Sequence, residues 1–202
     1  RDKVQAKSDC NFVFVQGAAG NMNPTSRISG ETPYNKAHYH EYGEALAQVV
    51  LDHISDLQSV EGGKVQTETY DYAATVFKHT DEEVAKAKEF NALTYEERKA
   101  LYKDWGYTSI YHASSIIAKA DLGVTEDLEL NAISIGNSIA FYSAPGELWA
   151  ETGMKVKDRS PFAYTFTTGY TNGDWKYFTD GTAADGTYES YEGFYTRFVA
   201  PD

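Results

Sequence analysis

Basic residues are scarce in this sequence of 202 residues, which has 18 Lys and Arg against 30 Asp and Glu. The formal net charge at pH 7 is therefore −12. A surface of this sign repels the phosphates of nucleic acids, and the sequence has no basic stripe that would offset the repulsion. Bulk attraction to an anionic membrane is disfavoured for the same reason. The charge argues against nucleic acid as a partner.

Cysteine and long apolar runs are also scarce. The single cysteine, Cys10, excludes an internal disulfide bond and a zinc site built from cysteines. No apolar run reaches the roughly 20 residues that a membrane-spanning helix needs, so we expect no transmembrane segment. The sequence begins at Arg1 with neither an initiator methionine nor a leader, and we interpret it as a chain whose upstream part is missing.

The apolar pattern that is present predicts an α/β fold, a mixed sheet flanked by helices that forms either a single domain or half of a larger catalytic domain. A helix from about residue 36 to residue 57 is expected to pack one apolar face on the core. The other expected elements are strands at 12–15, 64–77, 128–136, 138–144 and 163–170, helices at 107–120 and 147–158, and two helices opened by capping boxes at Thr80 with Glu83 and Thr94 with Glu97.

Three of the predicted strands end in polar loops that contain glycine, namely QGAAGNMNP from Gln16, APGE from Ala144 and GYTNGDW from Gly169. Loops at one edge of an open α/β sheet are where such folds bind ligands, so we expect these three to converge on a site. The first loop supplies neutral donors and acceptors at Gln16, Asn21 and Asn23. A tight turn also explains this loop, and its spacing fits no nucleotide-binding motif.

Glu147 follows Pro-Gly and is predicted to open a helix, where the free N–H groups and the helix dipole favour an ionised carboxylate. Such a group can coordinate a cation, but it can also serve only as a helix cap. None of the five histidines forms an HxxxH or HExxH pair on a predicted helix, so solvated or capping roles are expected for them. The aromatic residues of the tail could bind a sugar or a lipid, or could simply pack the loops.

Taken in order, the motifs FVQGAAGNMNP, PGELWAETGMKVKDRSPF and GYTNGDWKYFTD with YESYEG resemble the neutral/alkaline (non-lysosomal) ceramidase family. The likeness covers most of the chain and is weakest from about Lys64 to Leu122. Enzymes of that family are zinc-dependent amidases in which two histidines, a glutamate and a tyrosine hold the metal, and a zinc-bound water attacks the amide of ceramide. The resemblance implies a zinc cofactor, a lipid amide substrate and a secreted or cell-envelope location.

The resemblance also assigns roles to particular residues. It implies Glu147 and Tyr177 as metal ligands, and Asn21 and Asn23 as catalytic residues, because they stand where the family motif has Asp and Ser. The expected substrate-binding residues are Gln16, Asn172 and Tyr191, with Tyr188 as the competing match for the last of these.

One departure concerns the metal site. The histidine ligands of the family lie upstream of the GAAGN loop, and no histidine of this chain matches them, so the missing upstream part is the expected partner that completes the site. The favoured hypothesis is a zinc-dependent amide hydrolase. The alternative is a catalytically inactive ceramidase-like binding domain that uses its aromatic C-terminal loops.

Overall fold

The structure is a computed structural model, and it describes residues 1–23, 38–179 and 189. Its central element is a mixed sheet of four strands. In chain order the strands are β1 (Val65–Thr75), β2 (Thr125–Ile135), β3 (Ile139–Ser143), β4 (Glu147–Leu148), β5 (Tyr164–Thr168) and β6 (Tyr177–Phe178). The four-stranded sheet has the order β1-β2-β3-β5, and β4 pairs with β6 in a separate two-stranded sheet. The predicted α/β class, a mixed sheet with helices, is confirmed.

The chain divides into two compact units. The first unit contains residues 1–15 and 22–63, and the second contains residues 16–21 and the chain from Lys64 onward. The four-stranded sheet and the three glycine-containing loops all belong to the second unit.

Local turn chemistry explains the antiparallel part of the sheet. Strands β2 and β3, both predicted, form an antiparallel hairpin with Ile135 opposite Ile139. Gly136 has φ +56°, which glycine adopts without the steric cost that a side chain would add. Strand β3 then pairs in parallel with β5, and helix α6 (Ala150–Arg159) lies between them in the chain. A parallel pair requires a crossover connection of this kind.

Three helices connect β1 to β2: α3 (Asp81–Asn91), α4 (Tyr95–Leu101) and α5 (His112–Ala120). Both predicted capping boxes are confirmed, with Thr80 and Thr94 each accepting from the backbone three residues later. Helix α5 begins five residues later than the predicted helix at 107–120. Residues before it turn instead, because the Tyr107 N–H donates to the Tyr102 carbonyl over 2.8 Å.

Two apolar clusters are found among the described residues of the second unit. One lies against the face of the sheet that includes Leu128, and it also contains Ala144, Leu148 and Phe178. The other lies between the connecting helices, where Phe90 is fully buried beside Ile116. The first cluster supports the glycine-containing loops, since Leu148 and Phe178 belong to β4 and β6.

The first unit contains helix α1 (Asp2–Lys7), helix α2 (Tyr39–Asp52) and a 3₁₀ turn at Ile54–Asp56. Helix α2 confirms most of the predicted helix. The expectation that the apolar face of this helix is buried is wrong, because the side chains of Leu46 and Val49 on that face are 65% and 58% exposed. The strand predicted at residues 12–15 is also wrong: this run is irregular, and Val13 is 78% exposed. A β-favouring composition does not form a strand without a paired neighbour.

The glycine inside helix α2 gives a direct test of this helix. A Cβ at Gly43 would meet nothing within 4 Å. We therefore expect Gly43→Ala to stabilise the helix by about 0.5–1 kcal/mol, because alanine loses less backbone entropy on folding. The measurement is the free energy of unfolding from denaturant titration followed by circular dichroism. Ala45→Gly, at an exposed position of the same helix, should lower it by a similar amount, and a loss of stability in Gly43→Ala would contradict the structure.

Candidate functional site

Three loops meet in the second unit, as the sequence predicts. We call residues 16–21 the first loop, residues 144–146 the second loop and residues 169–176 the third loop. Backbone hydrogen bonds join them, with the Gly169 N–H donating to the Gln16 carbonyl over 3.2 Å and the Tyr170 N–H donating to the Gly146 carbonyl over 3.0 Å. The Gly20 N–H also donates to the Leu148 carbonyl over 2.8 Å. The convergence is therefore held by the main chain.

A cavity of about 230 Å³ lies where the three loops meet. It is smaller than the roughly 300–1,000 Å³ of a typical small-molecule pocket, so its size suits one functional group and not a whole lipid. Four of its lining residues are glycines, which leaves backbone N–H and C=O groups within reach of a bound group. The lining residues are Gln16, Gly17, Ala19, Gly20, Gly146, Glu147, Gly169 and Tyr170.

Close backbone packing explains why glycine occupies three of these positions. A Cβ at Gly20 would lie 2.8 Å from the Glu147 carbonyl oxygen, and one at Gly169 would lie 2.9 Å from the Gly146 carbonyl oxygen. A Cβ at Gly146 would lie 2.4 Å from Phe178 Cε2. Gly17 differs, because its nearest neighbour would be 3.8 Å away, an ordinary contact.

Glu147 and Tyr177, the expected metal ligands, are register partners in the parallel pair of β4 and β6. Neighbouring strands lie about 4.8 Å apart, and partners in register project from the same face. Leu148 and Phe178 are the next residues along, and both are buried in the apolar cluster. Since side chains alternate along a strand, Glu147 and Tyr177 project away from that cluster. The two oxygen-bearing side chains therefore lie side by side.

The predicted helix at 147–158 is confirmed, but its predicted start at Glu147 is wrong. Helix α6 begins at Ala150, three residues later, and Glu147 lies in the short strand β4. The N–H of Ala150, the first residue of the helix, has no partner within the helix and donates to Asn21 Oδ1 over 2.9 Å. The start of the helix is thus occupied by an amide from the first loop, and Glu147 is not at the helix start, where the free N–H groups and the helix dipole act.

Asn21, an expected catalytic residue, uses both ends of its amide to attach the first loop to helix α6. In addition to accepting from Ala150, it donates from Nδ2 to Glu151 Oε2 over 2.6 Å. The same loop packs on the helix at Gly153, where a Cβ would lie 2.5 Å from the Ala18 Cβ. These contacts give Asn21 a structural role, and its side chain is not among those that line the cavity.

The other expected site residues are distributed differently. Gln16 lines the cavity. Asn172 is in the third loop but does not line the cavity, and its Nδ2 donates to Glu129 Oε1 over 2.8 Å. Asn23 is exposed and belongs to the first unit. Tyr191 and its competitor Tyr188 lie outside the described residues.

The third loop is conformationally unusual, a feature that the sequence analysis missed. Tyr170, Asn172 and Lys176 have φ of +56°, +60° and +61°. Side chains other than glycine and asparagine rarely adopt this region, and each such residue costs on the order of 1–3 kcal/mol. Tyr170 is also half-exposed and lines the cavity. Residues held in strained conformations cluster at functional sites, which supports this loop as part of one.

A second and larger cavity of about 450 Å³ lies between the sheet and helix α6. Sequence reasoning missed it, although the alternation of apolar residues in β1 and β2 was the available signal. Most of its exposed wall surface is apolar, although seven polar residues also line it, namely Glu68, Asn131, Ser143, Thr152, Arg159, Ser160 and Thr167. The apolar lining includes Tyr70, Leu130, Ala132, Tyr142, Leu148 and Val156.

Two negative observations apply to the described part of the chain. Within residues 1–23, 38–179 and 189, no group of three or more His, Cys, Asp and Glu side chains is placed to hold a metal ion. In the same residues, no helix has the length and apolar character needed to cross a membrane.

Compared with known proteins, the chain matches no protein family, no curated protein sequence and no solved structure.

Proposed function

We propose that this chain is part of a zinc-dependent hydrolase of linear amides, resembling neutral ceramidase, with an N-acyl lipid or a related amide as its substrate. The observation that carries the proposal is the register pairing of Glu147 with Tyr177. These two residues are separated by 30 positions in the chain, yet strand pairing brings them together beside a cavity formed by three loops.

The residues present fit one half of a zinc site. Carboxylate oxygen is a known zinc ligand, and four-coordinate sites leave room for further ligands from elsewhere. Glu147 and Tyr177 would hold the ion, and the resemblance expects two histidines from an upstream part. A bound zinc ion polarises a carbonyl and lowers the pKa of a coordinated water.

The remaining lining residues have roles that need no metal. The backbone groups of the first and second loops are positioned to orient an amide in the small cavity, because the glycines let the main chain approach closely. Tyr170 forms one wall of that cavity. Asn21 keeps the first loop attached to helix α6. The catalytic roles of Asn21 and Asn23, and the substrate-binding role of Tyr191, remain part of the proposal.

The larger cavity supports an acyl chain as the apolar part of the substrate. Its volume of about 450 Å³ and its mainly apolar walls suit a hydrocarbon group, whose burial gains about 0.8 kcal/mol per CH₂. Leu148 lines this cavity, and the preceding residue, Glu147, lines the smaller one. Because side chains alternate along a strand, these adjacent residues of β4 face different cavities, one proposed for the amide and one proposed for a hydrocarbon group.

The second candidate is a binding domain without catalysis. The observation that favours it is that the described residues hold no group of three metal-binding side chains. A Glu and a Tyr alone are a weak zinc site. The aromatic residues of the C-terminal loops would then provide the recognition surface.

Metal content distinguishes the two candidates. We expect about one zinc per chain in the full-length protein after dialysis against a weak chelator, measured by mass spectrometry, in keeping with one four-ligand site. Glu147→Ala should lose the metal because it removes a charged ligand. Glu89→Ala, an exposed carboxylate on helix α3, is the matched control and should retain it.

The activity test follows from the metal result. If zinc is present and depends on Glu147, release of fatty acid from a panel of N-acyl amides should be lost together with the metal. Absence of zinc from both the wild type and Glu89→Ala would refute the hydrolase and leave the binding domain.

A further inference from the structure

A chain of side-chain hydrogen bonds runs across the sheet to the third loop. Thr69 Oγ1 on β1 donates to Asn131 Oδ1 on β2 over 2.9 Å. Asn131 Nδ2 donates to Glu129 Oε1 over 2.9 Å, and Asn172 Nδ2 donates to the same oxygen over 2.8 Å. The Glu129 carboxylate therefore connects two regular strands to an irregular loop.

The surroundings of Glu129 favour its ionised form. The side-chain hydrogen bonds from Asn131 and Asn172 hold the pKa of the Glu129 carboxyl below its usual range. Hydrogen bonds to a charged acceptor are stronger than those between neutral groups. Asp71 is the register partner of Glu129 on β1, and two like charges in this position disfavour strand pairing unless other groups compensate. The two asparagine amides supply that compensation.

Asn172 lies at the point of the third loop where an anchor is needed. The main chain fixes the flanking residues, because the Tyr170 N–H donates to Gly146 and the Trp175 N–H donates to Pro145. Asn172 lies between them with φ +60°, in a left-handed region that asparagine adopts at lower cost than most other residues. Its hydrogen bond to Glu129 holds the side chain of this exposed residue against β2.

We propose that Glu129 is a positioning residue, which holds the third loop in its left-handed conformation by binding the side chain of Asn172. The loop leads directly into Tyr177, so its conformation determines where that side chain lies beside Glu147. The consequence for zinc rests on the proposed function, whereas the anchoring of the loop does not. Asn172 is thereby assigned to loop structure and not to direct contact with substrate.

The pair Asn172-Gly173 provides a chemical readout of the anchor. The backbone nitrogen of Gly173 can attack Cγ of Asn172, forming a C–N bond while the side-chain nitrogen leaves as ammonia. Water then opens the resulting succinimide to aspartate or isoaspartate, which changes the mass of the peptide. The reaction requires the Asn172 side chain to turn toward the next backbone nitrogen. A side chain held by Glu129 is restrained from this movement, so deamidation reports its release.

The test compares the full chain with Glu129→Ala, Glu129→Gln and the control Asp127→Asn, which removes a charge from the same strand and the same face. Deamidation at Asn172 is followed by peptide mapping during incubation at neutral pH. We expect it to be roughly tenfold faster in Glu129→Ala, as loss of a charge-assisted hydrogen bond would give. Glu129→Gln keeps a hydrogen-bond acceptor, so its deamidation rate should lie between those of the wild type and Glu129→Ala. The rate in Asp127→Asn should match that of the wild type.

Zinc affinity of the same variants separates this inference from the proposed function. If both are correct, Glu129→Ala binds zinc more weakly although Glu147 and Tyr177 are intact, and Glu129→Gln restores part of the affinity. An unchanged deamidation rate in Glu129→Ala overturns the inference whatever the zinc result. Faster deamidation in a protein that binds no zinc supports the anchor and removes only the proposed function.

Discussion

Gly146→Ala is expected to lower the free energy of unfolding by about 3 kcal/mol, the upper part of the range for overpacked sites. The added Cβ would lie 2.4 Å from Phe178 Cε2 and 2.5 Å from the Lys176 carbonyl oxygen. The carbonyl belongs to backbone that accepts from the Glu147 N–H over 2.7 Å, so neither neighbour can withdraw without disturbing the pairing of β4 with β6. For a chain of this size the loss corresponds to a fall in Tm of roughly 6–12 °C.

Gly17→Ala is the matched control, because Gly17 lines the same cavity and its Cβ would meet nothing closer than 3.8 Å. We expect it to change stability little, or to raise it by up to about 1 kcal/mol through a less flexible unfolded chain. Thermal and denaturant unfolding of the two variants provides the comparison. Equal stability of Gly146→Ala and the wild type would mean that the second loop does not pack on β6 as described here.

Stability is expected to fall as the pH is lowered from 6.5 toward about 4, because the pKa of His112 falls in the folded protein from its ordinary 6.5 to about 4. Burial of the ring is the main cause, and the charge of Lys119 adds to it. As the pH falls, His112 of the unfolded chain binds a proton near pH 6.5, whereas His112 of the folded protein binds it only near pH 4. The contribution of His112 to the free energy of unfolding is therefore fully present above pH 6.5 and is lost as the pH falls below it.

The neighbours of His112 strengthen this dependence. Burial and Lys119 also lower the pKa of His79, which adds to the loss in the same direction, although Glu83 opposes the shift. For each proton that the unfolded chain binds in excess of the folded protein, the free energy of unfolding falls by up to about 1.4 kcal/mol per pH unit. The fall is smaller for a partly exposed ring, because solvent screens its charge. The pKa of Glu83 is lowered by hydrogen bonds from Thr80, so its contribution is lost only below its ordinary value of 4.5.

Urea unfolding at a series of pH values measures this dependence. His112→Asn keeps an acceptor for the Thr108 hydroxyl, which lies 3.2 Å from His112 Nδ1, and should reduce the slope between pH 6.5 and about 4. His40→Asn, at an exposed position of helix α2, should leave the slope unchanged. The same slope in the wild type and His112→Asn would contradict the assignment.

Features that depend on a few neighbouring residues could be predicted from the sequence. The capping boxes at Thr80 and Thr94 need only a hydroxyl and a carboxylate three residues apart. The β2–β3 hairpin needs only two apolar runs and a turn at Gly136. The meeting of the second and third loops was also predictable, because they follow the parallel neighbours β3 and β5 and so lie at one edge of the sheet. The first loop follows no strand, and its position depends on backbone hydrogen bonds to Gly169 and Leu148.

Features that depend on distant partners could not be predicted. Pro-Gly before Glu147 favours a helix start locally, but pairing with Tyr177, 30 positions away, places Glu147 in a strand. The hydrogen bond between Glu129 and Asn172 joins residues 43 positions apart, and no local pattern indicates it. Residues 12–15 have strand composition without a strand, since composition supplies a preference and only pairing fixes the structure.

The pairing of β1 with β2 has a consequence for the modularity of the protein. Thr75 and Thr125 are register partners, and the Val76 N–H donates to the Val124 carbonyl over 2.9 Å, so the intervening helices leave and rejoin the sheet at neighbouring points. Their apolar cluster draws its members from residues 84–117 alone. The helical segment is therefore an insertion in the hairpin of β1 and β2. Joining the end of β1 to the start of β2 by a short turn would cost little loop-closure entropy. A variant in which a short turn replaces these helices should therefore keep the three loops unchanged.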